Sequence, residues 1–313
     1  MRFEIVKCHG SGNDFPLIDA RDIALDEAEW AVVARALADR AGPVGGDGLL
    51  LLTAGDEVHA FGMVMRNSDG SEAETCLNGV RCVARAGFAA LGIDQAQVRL
   101  KTSSAFAAHD PDLAPGVYTV RETAGPAGMD VTAWPMRIRT DRLIEGVVPA
   151  LSDTIRFTAV AMPNPHLVAF VDTVDEAELV RIGTICEGAP DWLPNRANVS
   201  FVEVRGGDLF VRTFERGVGL TDSCGSAMAA STHAACLTGR IPTDRETVVF
   251  NRGGLVRAQA DADGVVTICG NATFEWAGSV EVDLATRVAF GLVVTARYPD
   301  EVAAWEAAKR VAG

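Results

Sequence analysis

The feature that most constrains this chain is a pattern that occurs twice. Asn67-Ser68-Asp69-Gly70-Ser71-Glu72-Ala73-Glu74-Thr75-Cys76-Leu77-Asn78-Gly79-Val80-Arg81-Cys82 follows a β-like run from Phe61 to Met65. Glu215-Arg216-Gly217-Val218-Gly219-Leu220-Thr221-Asp222-Ser223-Cys224-Gly225-Ser226-Ala227-Met228 follows another, from Leu209 to Phe214. Each crosses a polar, glycine-containing loop to a hydroxyl residue and a cysteine, and the cysteine stands nine residues after the polar residue that ends the strand, 67 to 76 and 215 to 224. An Ala-rich helical stretch comes next, so Cys76 and Cys224 are expected at or just before helix N-termini, with Thr75 and Ser223 as N-caps. A chain that repeats strand, loop, cysteine and helix is expected to fold as two similar halves.

That placement has chemical consequences. The unpaired N–H groups and positive dipole end of a helix N-terminus favour an anion. A thiol there loses its proton more readily than a free one, whose pKa is about 8.5, and a carboxylate is held by the same groups. Were the two helix ends turned toward one amino acid, a thiolate could remove the Cα proton from one face while the other thiol delivers a proton to the opposite face. A single cysteine beside an Ala-rich helix ordinarily fills core. The shared nine-residue offset argues for a joint function, because packing has no reason to repeat it.

The remainder of the chain is consistent with a small-molecule protein of two domains. With 313 residues, 48% hydrophobic and 22% charged, it has the size and composition to bury a substantial core. Acidic residues exceed basic ones by 42 to 28, a net charge of −14 that disfavours nucleic acid and anionic membranes as partners. Charges within Met1–Gly10 interrupt any signal-peptide core, so a cytoplasmic location is expected. No apolar run approaches the roughly 20 residues of a membrane helix. Seven cysteines without a Cys-x-x-Cys pair predict neither a disulfide framework nor a zinc site.

Along the chain, Phe3–Lys7 reads as a strand and His9-Gly-Ser-Gly-Asn-Asp-Phe15 as a loop that leads to another strand, not to the helix a dinucleotide fingerprint requires. Residues 25–41 form an amphipathic helical pattern, Gly45-Gly46-Asp47-Gly48 a turn, and residues 77–91 a helix closed by Gly92. The breaker-rich stretch from Glu122 to Asp130 is the expected interdomain link. The expected domains are 1–125, joined by a returning strand near 273–284, and 126–272; residues 285–313 form a C-terminal extension of strand and helix without a legible role.

These residues resemble the diaminopimelate epimerase family. The resemblance rests on His9-Gly-Ser-Gly-Asn-Asp-Phe15, Asn67-Ser-Asp-Gly-Ser71 with Cys76-Leu-Asn-Gly-Val-Arg-Cys82, Asn164-Pro-His166, Ala197-Asn-Val199 and Glu215-Arg-Gly-Val-Gly219 with Cys224-Gly-Ser226, and it runs from residue 3 to about 284. It implies an α/β fold of the α+β type, two pseudo-symmetric domains each built as a curved, mostly antiparallel sheet or barrel around a central helix, with substrate in the cleft between them. It implies interconversion of LL- and meso-2,6-diaminopimelate without pyridoxal phosphate, metal or other cofactor, and a homodimer. By the same resemblance Cys76 and Cys224 are the acid and base, and His166 and Glu215 tune their protonation. Asn13, Asn67, Leu77, Asn78, Asn164, Asn198, Glu215, Arg216, Gly225 and Ser226 hold the substrate.

The side-chain chemistry agrees with that assignment. Arg216 with asparagine amides suits a distal carboxylate, and Glu215 with amide carbonyls suits a distal ammonium. From the residues alone, His166 and Asn13 are equally readable as turn residues, and Glu215–Arg216 as an ion pair at a strand end. The chain departs from the family pattern at Leu77, where glycine is usual, and at Ala227-Met228. A racemase of another amino acid, or an inactive amino-acid-binding module, therefore stands as an alternative.

Overall fold

Four consecutive leucines, Leu49 to Leu52, are all buried, and a strand that is apolar on both faces has to lie between two layers. In the computed structural model, which describes residues 1–312, that strand belongs to the first of two units. This unit comprises Met1–Glu122 and the segment from Cys269 onward; the second is Thr123–Ile268.

The first unit begins β1 (Arg2–Gly10), β2 (Asn13–Asp19), α1 (Glu27–Ala38), β3 (Gly48–Ala54), β4 (Phe61–Asn67), α2 (Leu77–Leu91), β5 (Gln95–Arg99), β6 (Ser104–Asp110) and β7 (Thr119–Ala124). Next come β8 (Gly146–Val147), β9 (Arg156–Ala161), β10 (Pro165–Phe170), α3 (Glu176–Glu187), β11 (Asn198–Arg205), β12 (Asp208–Glu215), β13 (Gly219–Thr221), α4 (Gly225–Leu237), β14 (Thr247–Asn251), β15 (Gly254–Ala260) and β16 (Val266–Asn271). The chain ends with β17 (Thr273–Asp283), β18 (Val288–Arg297) and α5 (Pro299–Ala312).

Both units use one connectivity. An antiparallel pair (β1/β2; β9/β10) is followed by a helix that crosses to a parallel strand (β2/β3 over α1; β10/β11 over α3). A second antiparallel pair (β3/β4; β11/β12) feeds the cysteine loop, and the helix after it crosses to another parallel strand (β4/β5 over α2; β12/β14 over α4). The returning strand β17 pairs with β1, and β18 pairs with β17.

In the first unit Leu50 and Leu52 join α2 (Val80, Val83, Phe88) in one core, while Leu49 and Leu51 join α1 (Trp30, Val33, Leu37) in the other. The second unit packs Leu179, Ile182 and Cys186 of α3 on Phe157, Leu167, Val199 and Phe201. Helix α4 is buried on almost every side, as a small-residue helix must be when a sheet curves around it. Helix α1 is shorter than the 25–41 pattern. Asp26 and Glu29 close a capping box at its start, and Asp39 leaves helical geometry at its end.

Candidate active site

In the first unit the sequence-predicted residues gather where β2, β3 and β4 share an edge with the start of α2. Cys76, not Thr75, is the N-cap of α2, because its backbone is extended and its own sulfur accepts the Gly79 N–H at 3.3 Å. Likewise Cys224, not Ser223, is the N-cap of α4, though its side chain caps no N–H. At Cys76 a thiol in place of the usual hydroxyl cap thus sets the sulfur itself against one of the orphan N–H groups.

Asn13 opens β2 and lies beside this sulfur. Its Oδ1 is 3.8 Å from Cys76 Sγ and accepts from Asn78 Nδ2 at 3.4 Å, and its Nδ2 donates to Asp47 at 2.5 Å. Asp47 also accepts the Asp14 N–H, and Arg40 ties Asp47 to Asp14. Asn67 ends β4, its amide donating to Ser71 Oγ at 3.0 Å. Leu77 is buried at 5% exposure and is absent from the left-handed residues. The leucine therefore carries no backbone strain there, and its N–H stays at the helix end.

Beneath these residues lies Arg81, fully buried, which sequence reasoning quoted within a motif but assigned no role. Its guanidinium donates to Asn78 Oδ1 (2.7 Å), Ser11 Oγ (3.2 Å), the Asn271 carbonyl (3.1 Å) and Glu122 (2.7 Å). Burial pushes Glu122 up to about 7 even against the Arg81 charge. Asp47, Ser11 and Asn271 were missed too. For Asp47 the Gly45–Gly48 run offered a signal; for Asn271 nothing local did.

In the second unit the equivalent edge carries the other set. Pairing of β10 with β11 sets His166 beside Asn198, and Glu215 closes β12. His166 Nε2 lies 3.1 Å from Asn164 Oδ1 and 3.4 Å from Asn198 Nδ2, and Asn198 Oδ1 accepts the Arg216 N–H at 2.8 Å. Arg216 also donates to the Asn195 carbonyl at 3.1 Å, while Glu187, another residue without a sequence signal, accepts the Gly217 N–H at 3.0 Å. The Cys224 sulfur is 3.5 Å from Ser226 Oγ. Burial pushes the Cys224 thiol up, and the Glu215 carboxylate adds to this. Where the second unit has Asn198 at the start of its parallel strand, the first has Gly48; a Cβ there would meet the Arg66 carbonyl at 2.2 Å.

Two histidines give the molecule an acid limit. Burial lowers His166 to about 3, with the Arg216 charge pushing the same way, and burial lowers His9 to about 4. Each folded ring binds a proton less readily than the unfolded one, near 6.5, so its stabilisation is complete above that pH and is lost as pH falls toward the folded value. At about 1.4 kcal/mol per unit the two rings together withdraw about 4 kcal/mol between pH 7 and pH 5, while Glu122, pushed up to about 7, takes its proton over the same range and returns about 2, so stability at pH 5 is expected to be about 2 kcal/mol below that at pH 7. Urea unfolding across this range checks it; a midpoint that does not fall would mean that the two rings titrate normally.

A third cluster reads as structure. His59 lies between Asp56 (2.8 Å) and Ser104 (2.7 Å), but Asp56 accepts the Val58 and His59 N–H groups and so fastens the turn into β4. Among the described residues no group of three or more His, Cys, Asp or Glu is placed to hold a metal ion, and no helix is long and apolar enough to cross a membrane.

The architecture defines a fold class shared with solved proteins of low sequence identity. It matches a hydroxyproline epimerase from Agrobacterium vitis with TM-score 0.64 at 14% identity, covering 99% of this chain and 97% of that one. A PhzF-family phenazine biosynthesis protein from Bacillus anthracis matches with TM-score 0.65 at 13% identity, covering 90% and 100%. Within that class, residues 5–105 and 158–275 match the diaminopimelate epimerase family. Diaminopimelate epimerases of Clostridium acetobutylicum (38% identical over 290 residues; 90% of this chain, 87% of that one) and Enterococcus faecalis (39% over 289; 87% of each) are relatives. The chain belongs to the diaminopimelate epimerase family.

Proposed function

We propose that this protein interconverts LL- and meso-2,6-diaminopimelate by two-base proton transfer at Cα, with Cys76 and Cys224 on opposite faces of that carbon. One observation carries the reading: in each unit a cysteine is itself the N-cap of the helix at the sheet's centre. The first backbone N–H groups of those helices, at Leu77-Asn78 and Gly225-Ser226, bind the reacting carboxylate. Cys76, which accepts an N–H from its helix, is set to act as thiolate. Cys224, buried beside Glu215, is set to keep its proton and donate it. Reversal of the reaction exchanges the roles. Arg216, Glu215 and the amides of Asn13, Asn67, Asn164 and Asn198 hold the distal amino-acid group, with His166 fixing the second amide pair. Leu77 keeps its backbone N–H at the helix end in an unstrained conformation, so that departure leaves carboxylate binding in place.

The test is turnover in D2O. Deuterium is expected in the product isomer from the first turnovers while recovered substrate keeps its protium, the signature of separate donor and acceptor. Label appearing equally in both would mean a single base. Binding of diaminopimelate without exchange would leave only a binding module.

The same proposal places the reaction in the cytoplasm, where thiols stay reduced, and in a homodimer. Strand β18 pairs on one edge among the described residues and exposes Val288, Phe290 and Val293. The register sets Arg2, Glu281 and Phe290 in one row, so a two-fold copy meets opposite charges around an apolar centre. Sedimentation equilibrium should give a dimer that Val293→Lys splits; a monomeric wild type would remove this part.

A further inference from the structure

The sequence leaves the C-terminal strand and helix without a role, and the family match ends at residue 275. We propose that α5 is a positioning element of the substrate site: Trp305 braces His9 and Glu301 grips α2, so that one helix fixes Asn13 relative to Cys76. This rests on the reading of Asn13 and Cys76 as parts of that site.

Trp305 is the largest fully buried side chain in the chain, and its ring centroid lies 5.8 Å from that of His9 at an interplanar angle of 53°. His9 in turn holds the β1–β2 turn. Its Nδ1 accepts the Gly12 N–H at 3.3 Å and approaches Asn271 Nδ2 at 3.2 Å, while Asn271 Oδ1 accepts the Ser11 N–H at 2.7 Å. Ser11 sits at φ +52° and Gly12 at φ +83°. A left-handed serine is held there by its neighbours and not by its own preference. The next residue is Asn13, so displacement of the His9 ring is passed to the amide that faces Cys76.

The second grip is on the catalytic helix. Glu301 takes Arg85 of α2 in a bidentate pair at 2.5 and 2.8 Å and accepts the Phe274 N–H at 3.2 Å. The Arg85 guanidinium lies 4.3 Å from the Tyr118 ring centroid and 3.9 Å from that of Phe274, and donates to the Ala272 carbonyl at 2.7 Å. Four groups thus hold one guanidinium, one turn along α2 from Arg81. Helix α5 thus touches His9, which holds the turn before Asn13, and Arg85 on the helix that Cys76 caps; Trp305 is itself buried and Glu301 is occupied by Arg85 and the Phe274 N–H.

Trp305→Ala is expected to lower kcat about 10- to 100-fold, the cost of a misplacement on the order of 1 Å, with a smaller change in KM. Trp305→Phe should restore most of it. Glu301→Gln, which keeps the size but weakens the grip on Arg85, should lie between, and it carries the test if Trp305→Ala does not fold. Leu37→Ala, a truncation in the α1 core of the same unit, is the control for lost packing and should leave kcat unchanged below its unfolding transition. Peptide-mapped alkylation supplies a readout that needs no substrate: Cys76 should react several-fold faster with iodoacetamide in Trp305→Ala and Glu301→Gln than in wild type or Leu37→Ala. This arm decides the role of α5 even if diaminopimelate is not the substrate. Unchanged kcat and unchanged Cys76 alkylation in both tail variants, or the same losses in Leu37→Ala, would overturn the proposal.

Discussion

Alanine at Cys76 or at Cys224 is expected to stop stereoinversion while leaving exchange of one isomer measurable. Removing either thiol deletes a proton donor or acceptor and should reduce epimerisation by about 10³-fold or more, within the range for a positioned acid or base. The surviving thiol still faces one side of Cα. Each variant should therefore exchange the Cα proton of one isomer with retention, and the two variants should select opposite isomers. Chiral separation with mass detection of deuterium reads both quantities. The variants should remain folded, since Cys76 is half-exposed and Cys224 loses only a small buried group. Inversion at the wild-type rate in either one would remove the two-thiol mechanism.

The second large effect is expected at Arg81. Arg81→Met leaves Glu122 buried without its cation and frees Asn78, Ser11 and the Asn271 carbonyl from a shared donor. Breaking a buried pair by removing one partner costs about 3–5 kcal/mol. Leucine at Glu122 in the same chain should recover most of that stability, because the buried carboxyl is then gone as well. It should not recover turnover, since Asn78 and the Ser11 turn still lack their anchor and kcat stays about 10- to 100-fold low. Chemical unfolding and kinetics on the single and double variants separate the two roles. Recovery of both together would show that Arg81 serves stability alone.

Legibility in the sequence followed the range of the interactions. Helix α2 was readable to the residue, because Leu77–Leu91 has local periodicity and Gly92 closes it at φ +66°. The cysteines were readable because a loop of fixed length delivers each to a helix start. The capping role was misplaced by one residue: Thr75 and Ser223 have the better cap chemistry, but the loop geometry gives the extended cap backbone to Cys76 and Cys224. The departure at Leu77 raised the question of a positive φ, and only the structure shows an ordinary helical backbone there. Asn271, Arg81 and Glu187 act across separations in sequence that no local pattern reports.

The sequence by itself determined that two similar halves each bring a thiol to the start of a central helix, because strand alternation, loop length and helix periodicity are written within short windows. The tertiary structure decided what surrounds the first of those thiols: the buried Glu122–Arg81–Asn78 chain, the Asp47 partner of Asn13, and the packing of Trp305 on His9 from almost 300 residues away. Pairs of that kind depend on which surfaces the fold presses together. Their strength comes from burial, which a residue acquires only once the rest of the chain is in place.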